Sequence, residues 1–265
     1  MDRRKRCIPG ERCVVEIGPR DVEILDAVAR CQFLDSTQIA REFFHSHDRA
    51  LHRLRQLVDA RLLNATLVSS RRPNLYSCTR SGLEALKDHG HAGEGFRLPP
   101  PIRASAVAHL ALINDVRLYC GVLAQAGHGE LLEWNSGRGQ DARAAGLDQR
   151  GLVPDAIVAL QLANRELTVF VEADCGHETA DLEAKLQRYS LLLPGQATEL
   201  WLACLGDRTR LLAVVRMCQR AGVDRSTRLF TRLDLVVRPA KPPVPMLAQL
   251  SDAFSGRHRA AGGGR

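Results

Sequence analysis

Between residues 90 and 101 the chain runs through Gly90-His91-Ala92-Gly93-Glu94-Gly95 and then Leu98-Pro99-Pro100-Pro101. Glycine frees the backbone and consecutive prolines stiffen it into an extended spacer, so no helix or central strand crosses this stretch. The patterned sequence on each side must close into a core of its own. With 265 residues, 45% of them hydrophobic, the chain has enough apolar material for two such cores. The expected organisation is a basic tail over 1–17, a first domain over 18–89, a linker over 90–104, a second domain over 105–240 and a flexible tail over 241–265.

Charge narrows the partners. Lys and Arg number 37 against 30 Asp and Glu, a formal net charge of +7, which favours a polyanion such as nucleic acid. No uninterrupted apolar run approaches the roughly 18–20 residues that cross a bilayer, so no membrane partner is expected. The eight cysteines form no CxxC pair, and no apolar secretory segment follows the basic opening Met1-Asp2-Arg3-Arg4-Lys5-Arg6. Reduced thiols in a cytoplasm are the expectation. Phosphate-cradling loops of the GxxxxGK[ST] or GxGxxG type are missing, which removes support for nucleotide hydrolysis.

In the first domain, Val22, Ile24, Leu25, Val28 and Ala29 follow helical spacing after Gly18-Pro19. Asp35-Ser36-Thr37 offers capping oxygens to a short second helix carrying Ile39, Ala40, Phe43 and Phe44. A third helix begins at His47-Asp48, with Leu51, Leu54, Leu57 and Val58 inward and Arg49, His52, Arg53 and Gln56 on the opposite face. Leu62–Ser69 and Leu75–Thr79 then read as a hairpin whose tip, Arg71-Arg72-Pro73-Asn74, is basic, and Thr79–Leu86 closes the domain as a helix. This order resembles the winged helix-turn-helix family, with Arg61 standing where many members carry glycine. The resemblance implies double-stranded DNA as partner: Arg49, His52, Arg53 and Gln56 would read base edges while Arg71 and Arg72 hold the backbone. A solvated cationic face serving protein contacts is the alternative.

The second domain opens with an amphipathic helix over 105–126 bearing His109, Leu112, Ile113, Val116, Tyr119 and Leu123 on one stripe. His109 reads as a core histidine with a local hydrogen bond. Strands follow at Leu131–Trp134, Pro154–Leu160 and Leu167–Asp174, then a helix over 178–193, a strand over 200–205, a helix over 208–221 and a strand over 229–237. Helix and strand alternate, so an α/β mixed sheet is expected, and the whole chain is α+β. The segment Asn135–Arg150 is polar and reads as a loop.

Asp155 starts one strand and Glu172 ends its neighbour, so a hairpin would bring the two carboxylates together as hard oxygen ligands for Mg²⁺. Pro154-Asp155 and Glu172 within this order resemble the PD-(D/E)XK nuclease core. That resemblance implies Asp155, Glu172 and Asp174 as metal ligands. The lysine usual at position 174 is an aspartate here, and Lys185 on the next helix would take its catalytic role, with Gln187 and Tyr189 nearby. Three readings remain open: an active Mg²⁺-dependent endonuclease, a nuclease-like scaffold without activity, and ordinary surface carboxylates with Lys185 paired to Asp181 at i, i+4. Cys175-Gly176-His177 and the pair His45 and His47 lack metal spacing.

Taken along the chain, the first domain followed by His109-Leu110, Asn114-Asp115-Val116-Arg117, Pro154-Asp155, Phe170–Asp174, Gly176, Glu178-Thr179, Lys185-Leu186 and Arg188-Tyr189 resembles the replication-relaxation family of mobile-element proteins. That resemblance implies a DNA-binding accessory protein of a plasmid or similar element, acting in replication, relaxation or mobilisation. It would work beside other proteins of such a complex, with a homodimer compatible. A noncatalytic transcription regulator is the remaining alternative.

Overall fold

The computed structural model describes residues 15–67, 73–91, 98, 103–125, 129–136, 147, 151–162, 165–176, 179–193, 198–231 and 235. Arg71, Arg72, His177, nearly all of the N-terminal tail, the whole C-terminal tail and most of the 135–150 segment lie outside them. The chain divides into two compact units, Met1–Val107 and Ala108–Arg265.

In the first unit α1 (Pro19–Cys31), β1 (Leu34–Asp35), α2 (Ser36–Phe43), α3 (His47–Asp59), β2 (Leu63–Thr66), β3 (Leu75–Cys78) and α4 (Arg80–Asp88) follow in order. Proline in the first turn of α1 costs no hydrogen bond, because that amide has no partner inside the helix. Asp35 caps α2 by accepting from the Gln38 amide at 2.8 Å while the Gln38 side chain accepts from the Asp35 amide at 3.0 Å. The strands form an antiparallel sheet in the order β1-β3-β2. Strand β1 has no counterpart in the sequence pattern, since two residues show no alternation. It exists because Leu34 and Asp35 pair with Tyr76 and Leu75. Ile24, Leu25, Val28, Leu34, Ile39, Leu54, Leu57, Leu63, Tyr76 and Leu86 build the core.

Two local details fix how α3 meets the sheet. Arg61 takes a left-handed backbone, φ 59°, where glycine would be unstrained, and this turns the chain from α3 into β2. Thr79 caps α4 by accepting from the Gly82 amide at 3.0 Å and donates to the Arg61 carbonyl at 2.6 Å. Gly82 packs against that same junction. A Cβ there would stand 2.3 Å from the Leu62 carbonyl oxygen and 2.7 Å from Cys78 Sγ.

The second unit contains α5 (Val107–Gln125), β4 (Gly129–Ser136), β5 (Ala156–Leu162), β6 (Arg165–Asp174), α6 (Thr179–Tyr189), β7 (Thr198–Cys204), α7 (Arg208–Ala221) and β8 (Thr227–Thr231). The sheet order is β4-β5-β6-β7-β8, antiparallel from β4 to β6 and parallel from β6 to β8. The mixed sheet and the overall α+β class agree with the sequence pattern. Strand β4 extends to Ser136, beyond the expected Trp134, because pairing with Ala156 on β5 continues that far. The last strand starts two residues earlier than its apolar run and its described part ends at Thr231, where pairing with Cys204 ends.

Side chains alternate across this sheet as the pleat requires. Ala156, Val158, Val169, Val171, Trp201, Ala203 and Phe230 face α5, meeting Leu112, Val116, Tyr119 and Leu123. Phe170, Leu200, Leu202 and Cys204 pack with Leu182, Leu186 and Tyr189 of α6 and Val214, Val215 and Cys218 of α7. Tyr119, Trp201 and Phe230 pack as a triad, Tyr119 edge-on to the other two, with centroids 5.2–6.2 Å apart. Ala104–Leu123 is, against the sequence expectation, long and apolar enough to cross a membrane by length and composition. Its apolar character is that of a helix covering a sheet.

Helix propensity alone would favour Gly82→Ala by about 1 kcal/mol. The approach to the Leu62 carbonyl reverses the sign, and urea denaturation should show the variant less stable by about 1–3 kcal/mol.

Candidate functional site

Helix α3 is aimed by its buried residues. Ala50, Leu54 and Leu57 are buried, and Arg49, His52 and Arg55 are exposed, with Gln56 half-exposed beside them. The expected face of Arg49, His52, Arg53 and Gln56 is thus rotated, and the placement of Arg53 differs from the sequence expectation. Its Nε donates to Asp21 Oδ1 at 2.8 Å, its Nη2 to Asp21 Oδ2 and to the Glu16 carbonyl, and its Nη1 to Gln56 Oε1 at 2.8 Å. Asp21, on α1, is only 4% exposed. A carboxylate removed from water requires a charged partner, and Arg53 supplies it. That hydrogen bond and the Asp21 charge hold the Arg53 pKa above its usual value despite partial burial. Arg55 is the exposed residue that the sequence pattern passes over. Counting Ala50 as core, which a scale based on large side chains does not do, rotates the apolar centre of α3 toward Arg53 and exposes Arg55. Arg71 and Arg72 lie outside the described residues.

In the second unit, β5 and β6 bring two carboxylates together. Ala156 pairs with Val171, and the Asp155 amide donates to the Val171 carbonyl at 2.9 Å, so Asp155 stands beside Glu172. Asp155 Oδ2 accepts from the Ala173 amide at 2.8 Å. Glu172 is 3% exposed; its Oε2 accepts from Lys185 Nζ at 2.7 Å and its Oε1 from the Tyr189 hydroxyl at 2.9 Å. Lys185 and Tyr189 are four apart on α6 and therefore share one face of it. Lys185 thus meets Glu172 in the structure, where the alternative pairing had assigned it to Asp181.

Burial pushes the Glu172 carboxyl up to about 8; the Asp155 charge adds to this, and Lys185 and Tyr189 work against it. At Lys185 burial works downward, but the charges of Glu172 and Asp155 outweigh it and the ammonium is held above the usual lysine value. Lys185 thus stays protonated, while Glu172 holds a proton further up the pH scale than an ordinary glutamate. The Tyr189 hydroxyl is raised by burial and by Glu172, so it remains a donor.

His109 joins this cluster from α5. Its Nε2 lies 3.0 Å from Asp155 Oδ2, within ion-pair range but off the line of a hydrogen bond, and this buried nitrogen has no hydrogen-bond partner among the described residues. The sequence places His109 in the core; here it reaches the end of the sheet where the acids are. The available signal was its position on the same stripe as Leu112 and Val116, which points any side chain of α5 at the sheet.

Asp174 is placed apart from the other two acids. Its oxygens accept from Arg210 Nε at 2.7 Å and Nη2 at 2.6 Å, and it is 7% exposed. The pleat places 172 and 174 on one face, as the sequence implies, but α7 lies over the second position and α6 over the first. Among the described residues no three His, Cys, Asp or Glu side chains converge as a metal-holding group. Mg²⁺ needs fewer, since one or two carboxylates with waters and substrate oxygens suffice. Each carboxylate oxygen offers two lone pairs, of which Lys185 and Tyr189 take one apiece on Glu172, so Asp155 and Glu172 fit such an ion together; Asp174 is clamped by Arg210 on both oxygens and its Oδ1 also accepts from the Gly176 amide at 3.1 Å, so it does not join them.

Because the folded Glu172 pKa lies above that of an unfolded glutamate, the native state binds the extra proton. This stability is fully present below about 4.5 and is lost as pH rises through about 8. Thermal unfolding from pH 4 to 9 should show that decline, and Glu172→Gln should flatten it.

The sequence model of the replication-relaxation family matches residues 25–199. No curated protein and no solved structure matches the chain. The matched segment runs from within α1 to the start of β7 and so includes α3, His109, Asp155, Glu172, Lys185 and Tyr189. With well over half of its length matched, the chain belongs to the replication-relaxation family.

Proposed function

We propose that this chain is a DNA-binding accessory protein of a plasmid or other mobile element, gripping double-stranded DNA through α3. The observation that carries this is the exposed Arg49, His52 and Arg55 on one helix whose opposite side is anchored in a core. The order of three helices and a β2-β3 pair followed by α4 supports a winged helix arrangement. In that arrangement the β2-β3 connection carries Arg71 and Arg72 to the phosphates, and α3 lies in the major groove. Replication or relaxation of such an element is the setting the family name suggests, and mobilisation, other proteins of such a complex and a homodimer are compatible with it.

Binding of a labelled duplex should weaken steeply with salt, because neutralised phosphates release counterions. The double variant Arg49→Ala/Arg55→Ala should bind at least about tenfold more weakly at fixed salt, two groove contacts being lost. Unchanged affinity would remove α3 as the DNA-contacting element.

The convergence of Asp155, Glu172 and Lys185 favours a second reading, Mg²⁺-dependent cleavage of a phosphodiester by the second unit. Helix α5, the β4-β5-β6 meander, α6 and the parallel β7 support a PD-(D/E)XK-like core. Asp155 and Glu172 would hold the ion, which supplies Lewis acidity and a water of lowered pKa. Lys185 keeps a positive charge at the carboxylates, suited to stabilising charge that develops on phosphate oxygens. Tyr189 holds Glu172 by its other oxygen. Incubation of supercoiled plasmid with the protein and Mg²⁺ or Mn²⁺ should give nicked product, with activity lost in Asp155→Ala and in Lys185→Ala. Cutting that survives Asp155→Ala, or no cutting at all, would leave the unit a nuclease-like scaffold.

A further inference from the structure

We propose that the groove-facing surface of α3 selects guanine, because a hydrogen-bond chain running outward from Asp21 leaves it with donors and no acceptor over the two turns from Arg49 to Gln56. This rests on the reading of α3 as the DNA-contacting helix and names what that helix would read.

The chain starts at a fixed point. Asp21 Oδ2 accepts from the Gly18 amide at 2.8 Å as well as from Arg53, so the carboxylate cannot turn. Arg53 has five N–H groups and no acceptor. With Nε and Nη2 directed at Asp21 and at the Glu16 carbonyl, its Nη1 donates to Gln56, and the atom that receives it must be the amide oxygen. The orientation of the Gln56 amide is therefore dictated by chemistry: carbonyl toward Arg53, NH₂ away from it.

The next link follows the same logic. Gln56 Nε2 lies 3.3 Å from His52 Nε2. Since the amide nitrogen donates, the His52 nitrogen accepts, and the neutral imidazole carries its proton on Nδ1. His52 thus offers an N–H from its other edge. Arg49 and Arg55, exposed on either side, can only donate. The remaining residues of the segment, Ala50, Leu51 and Leu54, have apolar side chains. Carboxylates occur only at the ends of the helix, at Asp48 and Asp59.

Base edges in the major groove discriminate against such a surface unequally. Guanine presents two acceptors, N7 and O6; adenine presents one acceptor and an N6 donor; cytosine presents an N4 donor. A glutamine reads adenine by accepting from N6 while donating to N7, and this requires its carbonyl and NH₂ to face the base together, whereas Arg53 holds the carbonyl turned toward itself. Gln56 is in this way converted from an adenine reader into a simple donor. Arg53 acts as a positioning residue: half-buried and engaged with Asp21, it decides what Gln56 can recognise.

The test uses the full chain and selection from a randomised 24-base-pair duplex pool, followed by replacement of guanine with 7-deazaguanine, which lacks the N7 acceptor, at the enriched positions. The expected result is enrichment of guanine-bearing steps and a loss of at least about tenfold on deaza substitution, with 7-deazaadenine having little effect. Gln56→Lys keeps a donor at that position and should keep the preference. Gln56→Glu places an acceptor there and should lose affinity at guanine and move the preference toward cytosine. Enrichment of adenine steps, or deaza-insensitive binding that remains salt-dependent, would overturn the guanine assignment while leaving duplex binding intact. Absence of salt-dependent duplex binding would instead overturn the assignment of α3 to DNA.

Discussion

The second unit depends on one buried carboxyl. Glu172 sits at the end of β6 with 3% exposure, and a group of that kind is tolerated in a protein interior only when its oxygens are matched by donors. Lys185 and Tyr189 meet that need from a single face of α6. The same requirement ties α6 to the sheet edge where β5 delivers Asp155 and α5 delivers His109. Four elements thus end at one place. Replacement of Glu172 by an apolar residue would relieve a desolvation cost, so the buried carboxyl costs stability that its two donors only partly offset.

The first unit uses the same physics for a different purpose. Asp21 is buried on α1, and Arg53 of α3 neutralises it, so the two helices are joined by a directed ionic contact in addition to their apolar packing. That contact withdraws one arginine from the surface and orients Gln56 through it. One interaction thus both links the two helices and fixes the direction of the Gln56 amide. A cationic helix face counted from composition would miss this, because it treats every arginine as equally available.

The pattern of elements was legible because it is written in short-range periodicity. Val22, Ile24, Leu25 and Val28 repeat at helical spacing, and Leu200, Leu202 and Cys204 alternate with Trp201 and Ala203. The α+β class, the mixed sheet, the place of α3 and the meeting of Asp155 with Glu172 follow from such local signals and from the shortness of the β5-β6 connection. Strand β1 was illegible because two residues carry no period. The fate of Asp174, at the end of β6, was illegible because it turns on Arg210, which is 36 positions away on α7.

The sequence by itself determined which residue types are present on which faces: two acids at neighbouring strand ends, a lysine one helix later, and a polar side to α3. Those are consequences of backbone geometry acting over a few residues. Tertiary structure decided which of those side chains are engaged and by whom. It gave Lys185 to Glu172, Arg210 to Asp174, Arg53 to Asp21, and left Arg49, His52 and Arg55 exposed. The reason is that a buried charge chooses its partner by proximity in three dimensions, and that proximity is set by how helices pack on a sheet rather than by spacing along the chain.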